Sequence, residues 1–218
     1  MFDDNWDLIN GEAAHEIETL NHANQVNVIE ALFRFLTHHV RPGENGGEVL
    51  PNVVALKEIH RTGTLFLLER PGEFREINVC LKRPDGSVAY EPPRWEDVPD
   101  LIAEFFLRVA ELAKTRHPLD VAAFALWRIN WIHPFKNGNG RSARAFAYAC
   151  LCLRYGFMLP GTRTILDLIM ENKRDFENAL ATCDRAFAET GSDDVSSLVE
   201  FLVPLLVEQL NSVPLKTH

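Results

Sequence analysis

The sequence lacks any run of the roughly 20 apolar residues that a membrane-spanning helix requires. Its most apolar late segment, residues 198–210, is broken by Glu200, Pro204 and Glu208. Basic charge is also short, with 22 lysines and arginines against 31 acids and a formal charge of −9. A nucleic-acid-binding surface needs the opposite balance, because phosphates are held by a basic footprint. Cysteine is sparse: Cys80, Cys150, Cys152 and Cys183 form no CxxC pair, and all four read as reduced core residues. The start, Met1-Phe2-Asp3-Asp4, is acidic where a secretory leader is basic. His15, His22, His60 and His117 show no metal-ligand spacing, and there is no internal repeat and no GxxxxGK[ST] phosphate loop. The expectation is a cytoplasmic protein with neither a nucleic-acid nor a membrane partner.

What is present suits a folded domain: 46% hydrophobic and 24% charged residues in a chain of 218. Helical periodicity dominates. Residues 12–40 read as one helix with Ile17, Leu20, Val28, Leu32 and Leu36 on its apolar side, stopped by Arg41-Pro42-Gly43. A Gly-rich loop, 42–47, follows, and residues 53–68 read as a helix interrupted or ended near Gly63. The period then shortens: Ile77, Val79 and Leu81 alternate with Asn78, Cys80 and Lys82, Arg83-Pro84-Asp85-Gly86 is a turn signal, and Val88 and Tyr90 alternate again. This predicts a β-hairpin over about 74–91, which has no other strand to pair with and must lie on a helical body. Further helices are expected near 98–115, 119–132, 140–155, 171–189 and 195–211, with Gly156 and Gly191 as stops. The fold class is mainly α, a helical bundle with one hairpin flap. It divides into an N-terminal helical extension (1–48), a main domain (49–211) and a tail (212–218).

One segment carries chemistry: His133-Pro134-Phe135-Lys136-Asn137-Gly138-Asn139-Gly140-Arg141-Ser142-Ala143-Arg144, between two apolar helices. Gly138 and Gly140 remove Cβ atoms where a loop becomes a helix, so backbone N–H groups can approach a ligand. The first N–H groups of that helix are unpaired and carry partial positive charge, which suits an anion, phosphate above all. Arg141 and Arg144, three apart, share one helix face and can clamp phosphate oxygens. The imidazole of His133 is the natural proton acceptor for a hydroxyl near neutral pH. Asn137 offers a carbonyl oxygen to a hard cation, and Asn139 offers an amide to phosphate or to backbone. Gly138-Asn139-Gly140-Arg141-Ser142-Ala143 also fits the dinucleotide pattern GxGxxG/A, but that pattern needs a strand before it and a parallel sheet, and the surroundings are helical.

The segment closely resembles the signature of the Fic (filamentation induced by cAMP) family, HPFx[D/E]GNGRxxR. Pro71-Gly72-Glu73-Phe74-Arg75 with the hairpin and Pro92-Pro93 resembles that family's flap region, and Val98-Pro99-Asp100-Leu101 resembles the start of its next helix. The resemblance spans roughly residues 50–205. It implies a Fic-type helical bundle and a protein adenylyltransferase, which moves AMP from ATP to a Ser, Thr or Tyr hydroxyl and releases pyrophosphate. Within it, His133 is implied as general base and Phe135 as the core anchor of the loop. Gly138, Asn139 and Gly140 are implied as the phosphate nest, Arg141 as the ligand of the distal phosphates, and Arg144 as an aid at the γ-phosphate. The flap, Ile77, Asn78, Val79, Cys80 and Leu81, is implied as a target dock by strand pairing. ATP and Mg²⁺ or Mn²⁺ are the implied substrate and cofactor. The implied partner is a target protein bearing a hydroxyl, with self-modification, a homodimer and an antitoxin-like inhibitor left open.

Two departures qualify the resemblance. Asn137 stands where the family carries the Asp or Glu that holds the metal. That keeps three alternatives in view: transfer of another phosphate-bearing group, removal of AMP from modified proteins, and a non-catalytic nucleotide- or peptide-binding module. No stretch fits the family's inhibitory [S/T]xxxE[G/N] helix in full. The nearest, residues 14–19, keeps Glu18, which is the candidate inhibitory residue and is expected to contact Arg144.

Overall fold

The computed structural model describes residues 6–39, 49–83 and 85–213. The acidic first residues, the Gly-rich loop 42–47, Pro84 and the end of the tail lie outside the described residues. The element order is α1 (Glu12–His39), α2 (Val53–Thr64), β1 (Leu81–Lys82), β2 (Val88–Tyr90), α3 (Val98–Thr115), α4 (Pro118–Ile132), α5 (Asn139–Tyr155), α6 (Ile165–Glu171), α7 (Lys173–Thr190) and α8 (Ser196–Asn211). The fold is mainly α, a helical bundle with one small hairpin, as the periodicity predicts.

Helix α4 is apolar on every side, and Leu119, Phe124, Leu126, Trp127 and Ile129 are all buried, so it forms the axis of the bundle. Helix α5 lies along it, with Ala143, Ala145, Ala147 and Ala149 buried. These small side chains let the two backbones approach closely. Phe105 of α3 stacks on Phe124 of α4 with ring centres 6.1 Å apart and tilts on Phe146 of α5 at 5.8 Å. Cys150, Cys152 and Cys183 are buried in this interior, and burial pushes the Cys152 thiol up to about 11. The core reading fails for Cys80, which is exposed on the flap. No helix among the described residues is long and apolar enough to cross a membrane.

Helix α1 departs from the apolar pattern. Its buried positions are Ala14, Glu18, Asn21, Gln25 and Ile29, while Leu20 is exposed. The buried polar side chains find specific partners across the interface: Asn21 Nδ2 donates to Leu65 O (2.9 Å), and Gln25 Nε2 donates to Ile59 O (2.8 Å). Periodicity registers hydrophobicity and so misses a face built on hydrogen bonds. Helix α6 also escapes the sequence reading, although it begins with a capping box between Thr164 and Asp167. It is only seven residues long and is cut from α7 at Asn172.

The hairpin is shorter than expected. Leu81 pairs with Tyr90 and Lys82 with Val88, with an irregularity between the two positions, and residues 74–80 lie outside the ladder. Side chains of both legs instead tether the hairpin to its surroundings. Asn78 Oδ1 accepts from Trp95 N (3.0 Å), and Tyr90 Oη donates to Trp131 O at the end of α4 (2.5 Å).

Gly63 lies hard against α1, because a Cβ there would sit 2.1 Å from Gln25 Nε2. Gly63→Ala should therefore displace Gln25 and destabilise the protein by about 1–3 kcal/mol. Chemical denaturation at pH 7 checks this; an unchanged midpoint would contradict it.

Candidate active site

The turn between α4 and α5 reverses the chain in a few residues, and a left-handed residue sits at each end. His133 caps α4 with φ +52°, its N–H on Ile129 O at 3.0 Å, and Gly138 precedes α5 with φ +74°. A Cβ on Gly138 would meet Thr64 Cγ2 at 2.6 Å, so both its conformation and its position exclude a side chain. The turn is buried, and its peptide groups must be satisfied from within. Asn139 does this for Phe135: its Oδ1 accepts from Phe135 N (2.8 Å) and its Nδ2 donates to Phe135 O (2.8 Å). Asn137 Oδ1 accepts from Gly138 N (2.6 Å). Phe135 is fully buried between His60, 3.7 Å away and nearly parallel, and Phe74 at 5.4 Å.

His60 closes the turn from the α2 side. Its Nδ1 accepts from Gly72 N (2.8 Å), so the proton of the neutral ring resides on Nε2, which donates to Asn137 O (2.9 Å). Burial, with Arg141 and Arg61 adding to it, holds this imidazole down at about 4.

His133 is also held down at about 4, mainly by burial and secondarily by the Arg75 charge. Its Nδ1 lies 3.3 Å from Asn130 O, and a carbonyl can only accept, so Nδ1 carries the proton and Nε2 keeps its lone pair.

Beyond Gly138 the chain enters α5. The main-chain N–H groups of Asn139 and Gly140 take no acceptor among the described residues, as the first turn of a helix dictates. Ser142 Oγ and N instead close onto Gly138 O at 3.0 and 3.1 Å. Arg141 reaches back to α1 and α2: Nη1 donates to Gly63 O (2.8 Å), Nη2 lies 3.5 Å from Glu18 Oε2, and the guanidinium sits 5.6 Å from the Trp6 ring centre. Glu18 is buried and accepts at Oε1 from Trp6 Nε1 (2.6 Å). Lys136 pairs with Asp7. Arg144 is half-buried, has no carboxylate partner among the described residues, and is lowered to about 10 by burial and the charge of Arg141. The result is a helix N-terminus flanked by a neutral imidazole and an arginine without a counter-ion, an arrangement suited to a phosphorylated ligand.

The family model of Fic/DOC matches residues 51–151, which contain this turn and everything that closes it. This stretch, just under half of the chain, is a Fic/DOC-type domain. Among solved structures it is similar to a Fic family protein from Desulfovibrio desulfuricans G20, with a TM-score of 0.59 at 21% identity over 88% of this chain and 53% of that one. It is also similar to a Fic-domain-containing signaling protein from Bacteroides thetaiotaomicron VPI-5482, at 0.64 and 20% over 94% and 70%. Residues 134–508 of Fic-1 from C. elegans give 0.55 and 20% over 88% and 50%. The chain thus spans about half the length of the Desulfovibrio protein. At these identities the likeness concerns the fold.

Within this Fic domain the structure brings His133, Gly138, Asn139, Gly140, Arg141 and Arg144 together at one turn. Three expectations change in detail. Of the two uses open to the Asn139 side chain, phosphate or backbone, the structure takes backbone, which leaves only its N–H for the nest. Glu18 meets Arg141 and not Arg144, because α1 crosses beside the Gly63 end of α2, where the Arg141 guanidinium lies. Asn137 turns its carboxamide oxygen onto Gly138 N, the turn contains no carboxylate, and no group of three His, Cys, Asp or Glu among the described residues could hold a metal. These residues do not fit a protein-built divalent-cation site. The flap residues stand apart from the turn: Ile77 and Leu81 are 51% and 37% exposed, and Val79 is half-buried. His60 and Arg75 are the site residues that sequence reasoning missed. A histidine amid the buried apolar face of α2 was the available signal for the first.

The two depressed imidazoles make stability pH-dependent. An unfolded histidine binds its proton near 6.5 and these two near 4, so the unfolded state holds more protons between those values. The stabilising contribution is complete above about pH 6.5 and is lost as pH falls towards 4. Going from pH 7 to 5, the contribution of buried His60 should fall by about 1–2 kcal/mol. His60→Gln should flatten the denaturation midpoint over that range, whereas an unaltered pH slope would contradict the assignment.

Proposed function

We propose that the protein is an adenylyltransferase, moving AMP from ATP to a hydroxyl of a protein target. The observation that carries this is the pairing, across one short turn, of a neutral His133 whose Nε2 is the basic nitrogen with a helix N-terminus open to phosphate. The hydroxyl oxygen attacks the α-phosphorus in line, and its proton passes to His133 Nε2. The bond from the α-phosphorus to the bridging oxygen breaks, and pyrophosphate leaves. The N–H groups of Asn139 and Gly140 take the phosphate charge, and Arg144 meets the distal phosphates without first giving up a partner. A bound triphosphate also favours the protonated imidazole, raising its affinity for the proton it must accept. The exposed Ile77–Leu81 leg of the flap offers a backbone edge on which an extended target segment can lie.

Glu18 acts as a competitor in this reading. Its carboxylate sits beside Arg141 and so opposes the anionic ligand. ATP with Mg²⁺ or Mn²⁺ should add the mass of AMP to the protein itself or to a supplied target, read by intact mass spectrometry. His133→Ala should reduce the rate at least about 10³-fold, within the range for loss of a general base. Glu18→Gly should raise it. Retained transfer in His133→Ala would overturn the assignment of the base, and binding of ATP with no mass gain under either metal would overturn the transferase reading.

A further inference from the structure

We propose that Arg75 is a positioning residue that fixes the base and the flap in one relation to each other; this rests on the transferase reading above. The side chain is 4% exposed and sits at the C-terminus of α4. Its Nε donates to His133 O (2.8 Å), and Nη2 reaches Ile132 O (3.4 Å) and Pro93 O (2.5 Å). Nη1 donates to Ile77 O (3.1 Å), and the Arg75 main-chain N donates to Pro134 O (2.9 Å). The acceptors fall into two sets. Ile132, His133 and Pro134 are the end of α4 and the base itself. Ile77 and Pro93 are the outgoing and returning roots of the flap.

Only a guanidinium can do this. It presents five N–H donors in one rigid plane, whereas an ammonium offers three from a single point. Among the described residues Arg75 forms no ion pair, and its charge faces carbonyl oxygens at the negative end of a helix. The same contacts hold His133 in its left-handed conformation, which a side chain with a Cβ adopts only when its surroundings enforce it. Arg75 thereby sets where the imidazole points and where the flap begins. A target segment lying on Ile77–Leu81 is placed relative to His133 through this one side chain. It touches neither nucleotide nor hydroxyl.

The test compares the full chain with Arg75→Lys and Arg75→Gln by three readouts: hydrogen exchange, NMR titration of the His133 ring, and the rate of mass gain with ATP. Exchange over residues 77–93 should accelerate by about 10-fold or more while the interiors of α3, α4 and α5 stay within about 2-fold. The His133 midpoint should rise from near 4 by about one unit or more, as water enters and the charge moves away. Transfer should fall in kcat with little change in the KM for ATP. An unchanged flap and an unchanged His133 titration would overturn the proposal. Equal loss of protection throughout the bundle in both variants would also overturn it, since Arg75 would then be an ordinary core residue. The first two readouts need no transfer activity: a silent wild type with these signatures intact sinks the transferase reading alone, and an active wild type without them sinks this proposal alone.

Discussion

A buried turn must find partners for its own peptide groups, and the architecture around residues 133–138 follows from that constraint. Several peptide groups of the turn are met by side chains from the elements around it. Asn139 pairs with both sides of the Phe135 peptide, His60 takes Asn137 O, and Arg75 takes His133 O. Pro134 supplies no N–H that would need an acceptor. Among the described residues, the N–H groups of Asn139 and Gly140 in the first turn of α5 are left without an acceptor. The anion cradle proposed above would use these remaining N–H groups.

Electrostatics follow from the same burial. Desolvation keeps His60 and His133 neutral, and each ring is fixed in one tautomer by a backbone partner, but to opposite ends. His60 has both nitrogens engaged and serves structure, whereas His133 has only Nδ1 engaged among the described residues and keeps a lone pair at Nε2. The two motif arginines diverge likewise. Arg141 is drawn to α1 and α2 through Gly63 O and Glu18, while Arg144 has no carboxylate partner among the described residues. One arginine ties the N-terminal helix to the turn, and the other carries the ligand role only in the proposed reading.

Much of this was legible in the sequence. The apolar runs of α3, α4, α5 and α8 gave their extents within a residue or two, since burial on a 3.6-residue period is what hydrophobicity records. The glycines at 138 and 140 marked the junction of loop and helix, where the structure places Gly138 in the left-handed region at φ +74°. What stayed hidden depends on hydrogen bonds between distant segments. The polar face of α1, the two-faced role of Asn139, the Arg75 clamp and the partner of Glu18 all require knowing which carbonyl lies opposite. No periodicity encodes that. The hairpin was overextended because alternation shows which residues could form strands, not which of them pair, and only Leu81 with Tyr90 and Lys82 with Val88 do.

The central claim is that the turn and the first N–H groups of α5 form the phosphate cradle. Its most direct measurement is an amide NMR titration of the full chain with ATP. The account expects the largest shifts at Gly138, Asn139, Gly140 and Arg141, with inorganic triphosphate reproducing them and Gly138→Ala removing them. Saturable binding with those amides unmoved, and the shifts gathered elsewhere on the protein, would contradict it.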